Sequence, residues 1–284
     1  MRILRKLLGT APGWKSFAFE VAIVVLGVAI AMLADDFVSN FNRRAEIRQS
    51  MKAVEDDLLV VMLFASERLA VEPCRLEQEN DLKAQLSEFG TQWDPDVPES
   101  INRDADFLAL DLMIRSPQRQ MPDSAWRAFM ASSSALYLDV ETYSTIDSIF
   151  GSVEKLNSAS EDIWQLQGRI SHLSVPGRLS DAERRNGLAL LGELSALQSM
   201  RYVLSEQLLT LVTDNVVFDA DYWGSFDEAA QRPYISGVSG LVAAGQAVYG
   251  ECFNAKPLQL VFDELNGLWG TSAHISNLPG GDLS

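Results

Sequence analysis

The chain has 284 residues, 47% of them hydrophobic and 9% aromatic, and a net charge of −16. It is long enough for one large domain or two small ones, and its Leu- and Ala-rich composition suits a helical core. The charge is unevenly spread: residues 1–34 hold Arg2, Arg5, Lys6 and Lys15 against Glu20 alone, while the remainder carries 19 bases and 38 acids. A surface that acidic repels phosphate backbones and anionic headgroups, which argues against nucleic acid and against a lipid-docking face. Cations and basic proteins remain open as partners.

Phe17 to Ala34 is an 18-residue apolar run interrupted only by Glu20. As a helix it reaches about 27 Å, enough for a hydrocarbon core with little tilt. Trp14 and Lys15 supply an interfacial anchor, and Asp35-Asp36 close the far end. Glu20, one turn from the basic end, reads first as an interface carboxylate and second as a buried group gripping a partner helix. Gly27 and Ala31 form a small-xxx-small pair of the kind that lets helices approach. The short basic leader places the N-terminus in the cytoplasm. A signal peptide cleaved at Ala29-Ile30-Ala31 is the competing reading. The run exceeds the usual apolar length of such peptides and its pattern continues past the site, which favours an uncleaved anchor.

Glu20, Gly27 seven residues on, Ile30-Ala31, Asp35-Asp36, Phe37 and Arg43-Arg44 together carry a resemblance. The segment resembles a group of uncharacterised bacterial proteins with one N-terminal span and a helical exported domain. Asp35-Asp36 stand where that group has two Asn, and Phe37 where it usually has Trp. Ser124-Ala125-Trp126 is similar to a Trp-bearing helix start further along the same group. The resemblance covers about 30 residues well. It implies membrane anchoring and assigns no catalytic residue.

Past the span, Ile47, Met51, Val54, Leu58, Val61 and Ala65 alternate spacings of four and three, one apolar seam of a bundle helix, with Arg68 in the next slot. Pro73 is expected to end this helix, with a second short helix over 75–90 closed by Gly90. Trp93 to Ser100, with Pro95 and Pro98, reads as a loop, and Ala105 to Ile114 as a short helix stopped by Pro117. Asp123 is placed to cap a helix carrying Trp126, Phe129 and Met130. A long pattern runs from Val140 to Leu173 through Ile146, Ile149, Val153, Leu156, Ile163, Leu166 and Ile170, until Pro176-Gly177 breaks it. Ser180-Asp181-Ala182-Glu183 is a capping box ahead of Leu190, Leu194, Leu197, Leu204, Leu208 and Leu211. Arg201 occupies the missing slot of that seam, and a position at the seam's edge with its head in water is favoured over a buried ion pair. Residues 219–233 read as irregular, and two helices follow near Ile235 to Glu251 and Leu258 to Trp269. The fold expected is all-α: a transmembrane helix over 17–35 continues into an extracytoplasmic helical bundle over 36–272, between a basic tail at 1–16 and a C-terminal tail at 273–284.

Chemistry-bearing patterns are sparse. His172 and His274 lie far apart without metal-ligand spacing, and His172 suits the negative end of a helix dipole. Gly237-Val238-Ser239-Gly240 misses the esterase spacing, and no phosphate-binding glycine loop is found. Gly237, Gly240, Gly245 and Gly250 suit close helix packing or a weakened helix. Asp219, Asp221, Gly224, Asp227 and Glu228 invite a calcium reading, with Asp219, Asp221 and Gly224 on the first, third and sixth positions of a calcium loop, but Trp223 and Ala230 occupy positions that need oxygen ligands, which favours a solvated acidic loop. No catalytic, cofactor or metal set is identified, and catalysis is not expected. Cys74 and Cys252 both fall on the exported, oxidising side, which favours a disulfide over two buried thiols. The function expected is that of a single-pass protein of the inner (cytoplasmic) membrane with a periplasmic domain, scaffolding another membrane protein or self-associating. The alternative is a ligand-sensing bundle that signals through a partner.

Overall fold

A computed structural model of the protein describes residues 13–88, 90, 92–95 and 113–271; before residue 41 it describes the side chains only of Val21, 23–32, Val38 and Ser39. The described chain is all-α apart from one two-residue bridge. The long helices are α1 (Gly13–Ser87), α3 (Val140–Ile170), α4 (Asp181–Asn215), α6 (Glu228–Tyr249) and α7 (Lys256–Trp269), with short helices α2 (Ser124–Met130) and α5 (Ala220–Trp223) between them. The expected helix over Ala105–Ile114 lies outside the described residues as far as residue 112; Met113 and Ile114 are buried but not helical.

Helix α1 has 75 residues and so is about 112 Å long. Its seam behaves as the spacing predicts: Val54, Leu58, Val61 and Ala65 are fully buried, and Ile47 and Met51 pack beside them. Helix α4 runs antiparallel to α1, since Leu208 and Val212 join the cluster of Val54 and Leu58 while Leu190 and Leu194 join that of Leu82 and Leu86. Helix α3 lies against α4 and parallel to α1, with Ile146 to Leu156 in the first cluster and Ile163 to Ile170 in the second. Helices α6 and α7 close the first cluster against α1.

Pro73 does not end the first helix, and the separate helix expected over 75–90 is the last part of α1. Proline removes one helical hydrogen bond at a cost of about 3 kcal/mol. Here the surroundings offset it. The carbonyl that Pro73 leaves without its helical donor is that of Leu69; on the next residue the Ala70 carbonyl accepts the Asn254 backbone N–H at 2.9 Å, and Val71 and Cys74 are buried in the core. The two cysteine sulfurs stand at disulfide distance, 2.11 Å, with Cα atoms 5.0 Å apart. Cys74 thereby joins α1 to the turn that follows α6.

Caps explain most other boundaries. Asp139 accepts the Thr142 N–H at 2.9 Å ahead of α3, and Ser180 with Glu183 forms the full capping box of α4. The segment 219–233 is more regular than expected because two of its acids are caps. Asp219 accepts the N–H groups of Asp221 and Tyr222 at 3.1 Å, and Asp227 accepts that of Ala230 at 2.9 Å and opens α6. Asp123 precedes α2 but makes no side-chain cap; it pairs with Arg127 instead. The α2 N–H at Ala125 is taken by Asp57 of α1, 3.0 Å away. Of the four glycines near the C-terminus, Gly245 is packed closely, for a Cβ there would fall 2.3 Å from the Phe253 ring, and Gly250 ends α6 at φ +67°.

The predicted span is only partly described. Among the described residues no helix is long and apolar enough to cross a membrane. The side chains of Trp14, Lys15, Glu20, Asp35 and Asp36 lie outside the described residues, as does His274.

Candidate functional site

Two features are built by the helices: a polar layer inside the bundle and an uncovered apolar end. The polar layer separates the two apolar clusters. On α4 the apolar seam gives way to Gln198, Arg201 and Ser205, all buried, with Leu197 and Leu204 displaced to its flanks. At the same level α1 contributes Glu67, Arg68, Arg75 and Glu79, and α3 contributes Ser160. Arg201 is therefore not at the seam's edge; its side chain is 3% exposed.

The reason for the layer is a length of irregular chain. Residues 113–123 cross the bundle in neither helix nor strand, and several are buried. Buried backbone needs partners, and side chains supply them. Arg201 Nη1 donates to the Pro117 carbonyl at 2.9 Å and to Gln118 Oε1 at 3.3 Å, and its Nη2 donates to Gln198 Oε1 at 2.7 Å. Arg68 Nη2 donates to the Arg119 carbonyl at 2.7 Å and to Ser160 Oγ at 3.3 Å. Gln167 Nε2 donates to the Ile114 carbonyl at 2.8 Å, and Asn157 holds both the N–H and the C=O of Met121, at 2.8 and 3.0 Å.

The carboxylates of the layer are committed elsewhere. Arg75 pairs with Glu72 and Glu79, and Ser195 Oγ donates to the second Glu79 oxygen at 2.7 Å. Glu67 pairs with Arg119 at 3.1 Å, and burial holds its carboxyl above the usual range against the pull of that arginine. Among the described residues no carboxylate pairs with Arg68 or Arg201. Burial lowers the Arg201 guanidinium to about 9, with Arg68 and Arg75 adding repulsion, and lowers Arg68 to about 10. Between them lies a cavity of about 10 Å³, lined by Arg68, Arg75, Glu72, Ser116, Gln198 and Arg201 among others.

A row of three acids on α1 fixes the other elements. Glu55 accepts Trp223 Nε1 at 2.7 Å and the Asp219 N–H at 3.1 Å, Asp56 accepts the Tyr234 hydroxyl at 2.9 Å, and Asp57 caps α2. Desolvation raises all three carboxyls. At the other end of α1, Val21 and the residues from Ile23 to Met32 are exposed on every side. A Cβ placed on Gly27 would meet nothing within 4 Å, and Ala31 is open. Exposed apolar groups continue at Phe41, Leu136 and Val140, and Arg43 stacks over the Tyr137 ring at 4.0 Å.

Sequence reasoning brings Cys74 and Cys252 together, as found. It misses Glu67, Gln198, Ser160 and the irregular segment they serve. The available signal is that Arg68 and Arg201 both fill apolar slots of their seams. Asp219 and Asp227, read as members of an acidic loop, are helix caps. His172 follows the α3 C-terminus, its Nδ1 3.0 Å from the Arg169 carbonyl. No family model matches the chain, and no curated protein or solved structure is significantly similar to it.

Proposed function

We propose that this protein is a membrane-anchored scaffold: one N-terminal span, N-terminus in the cytoplasm, holding a helical bundle outside against another membrane protein or a second copy. One observation carries the reading. The helix that supplies the bundle's central seam continues without a break into a stretch, Val21 and Ile23–Met32, whose apolar side chains are exposed all round. A helix apolar on every face needs an apolar surrounding, and a bilayer provides it. The flanking charges and the resemblance of this segment to single-span proteins point the same way.

The bundle end nearest the span suits a position close to the membrane, since Leu136, Val140 and Phe41 gather where α1 emerges. The open face at Gly27 and Ala31 offers a place for a partner helix. The ligand-sensing alternative has in its favour a cleft of about 210 Å³ lined by Met51, Glu55, Leu58, Thr145, Ile146 and Val216 and one of about 370 Å³ lined by Ser39, Asn42, Arg43, Glu46, Ser133 and Ser134, while the arginine cavity is far smaller than an organic ligand requires.

The test is extraction and capture. Full-length protein should stay in membranes after an alkaline carbonate wash and should co-purify in mild detergent with one membrane protein, or cross-link to itself, in near-stoichiometric amount. Replacing residues 13–35 with an unrelated span separates contacts of the span from contacts of the bundle. Release by carbonate, or recovery as a monomer alone, contradicts the proposal.

A further inference from the structure

Glu55 on α1 is 7% exposed, and its two hydrogen bonds, from Trp223 Nε1 and the Asp219 N–H, both fall on Oε2. Its other oxygen, Oε1, takes no hydrogen bond among the described residues and is not sealed from solvent. No ion pair offsets its charge among the described residues. The charges that act on Glu55 are those of Asp219 and Asp56, both acids. Lys52, one turn back, lies instead over the Tyr222 ring at 4.3 Å. A buried carboxylate without a counter-ion is costly, and burial raises this carboxyl accordingly.

The opening that Glu55 lines is a cleft of about 210 Å³ where α1, the start of α3 and the end of α4 meet. Met51, Leu58, Ile146 and Val216 give it apolar walls, and Glu141, Thr145 and Asn215 stand among its polar groups. None of the residues lining it is Lys, Arg or His. Asn215 gives its amide nitrogen to the Leu211 carbonyl at 2.9 Å, which leaves its oxygen as an acceptor. We propose that this cleft binds a small organic amine, its ammonium on Glu55 Oε1 and its apolar body against Leu58, Ile146 and Met51. An ammonium brings the missing charge and several donors in one group. Water can meet the carboxylate but gains nothing from the apolar walls. A metal ion finds no cluster of three acidic, His or Cys ligands among the described residues. The size also agrees, since a cavity of roughly 150 Å³ suffices for benzene. Occupied, the cleft ties the start of α3 and the end of α4 to α1, whether or not α1 crosses a membrane.

The experiment uses the full chain in mild detergent at physiological ionic strength, with protein-free micelles as the blank. Calorimetric titration with benzylamine should give saturable binding of one molecule per chain. Benzyl alcohol, of the same shape without the charge, should bind at least about tenfold more weakly, as the loss of a charged hydrogen bond implies. Glu55→Gln keeps an oxygen for Trp223 and Asp219 and should weaken benzylamine binding by a similar factor. Glu154→Gln, which removes an exposed acid elsewhere on α3, should leave the affinity unchanged. Because Glu55→Gln could disturb the fold, Val217→Lys gives a second reading. Val217 lies exposed at the rim of the cleft, and a cation there should weaken benzylamine binding several-fold. Absence of saturable binding to the unaltered protein overturns the proposal. So does equal affinity for benzyl alcohol, an unmoved affinity in Glu55→Gln or Val217→Lys, or a loss in Glu154→Gln equal to that in Glu55→Gln.

Discussion

Asp57 on α1 accepts the backbone N–H of Ala125 at 3.0 Å, capping helix α2 from 68 residues away in the chain. The local candidate, Asp123, instead spends its carboxylate on Arg127, an exposed partner. Asp57→Ala should therefore destabilise the domain by about 1–2 kcal/mol, the usual loss for a capping oxygen. Asp123→Ala should cost less, in the range of about 0–1 kcal/mol found for exposed ion pairs. Urea unfolding of the two variants gives the order, and an equal or reversed order contradicts this assignment of the cap.

Glu55 predicts a pH dependence. Burial raises its carboxyl above the ordinary 4.5, only partly opposed by the Trp223 and Asp219 N–H groups. The folded protein then takes up the proton at higher pH than the unfolded chain. Its contribution to stability is fullest in acid and is lost as pH rises through the raised value. Unaltered protein should accordingly gain stability relative to Glu55→Gln as pH falls toward 4.5 from neutrality. Paired melting curves at several pH values measure this. A relative gain as pH rises would reverse the sign and refute the burial argument.

The Cys74–Cys252 pair closes 178 residues of chain. In the chain-entropy model such a bridge stabilises by about 5 kcal/mol, an upper figure. Non-reduced protein taken from an oxidising compartment should run faster on a denaturing gel than reduced protein, and the difference should vanish in Cys74→Ser. Thiol labelling of the unfolded, unreduced chain should find no free cysteine. Full labelling of both would mean that the sulfurs are near but not bonded, and the C-terminal helices would then be held to α1 by core packing and by the Asn254–Ala70 and Tyr234–Asp56 hydrogen bonds alone.

The helices are largely legible in the sequence because their seams repeat: Val54, Leu58 and Val61 on α1 and Ile149, Val153 and Leu156 on α3 lie where period alone places them. Arg201 escapes such reasoning for a physical reason. A seam gap shows that a polar group faces inward but not whether another stretch of backbone crosses that face, and residues 113–123 carry no period. Pro73 misleads similarly, since the cost of a proline is local while the contacts that offset it, at Ala70 and Cys74, come from the far end of the chain. The calcium-like acids from Asp219 to Asp227 look alike in sequence, and only the helix starts beside them reveal two as caps.

The central claim is that the apolar start of α1 lies in a membrane with the bundle outside. Alkaline phosphatase and a cytoplasm-only fluorescent reporter, each fused after Ser284 in a bacterial host, test it most directly. The account predicts active phosphatase and a dark reporter, with both fusion proteins in the membrane fraction. Inactive phosphatase with a bright reporter would put the bundle in the cytoplasm and contradict the account.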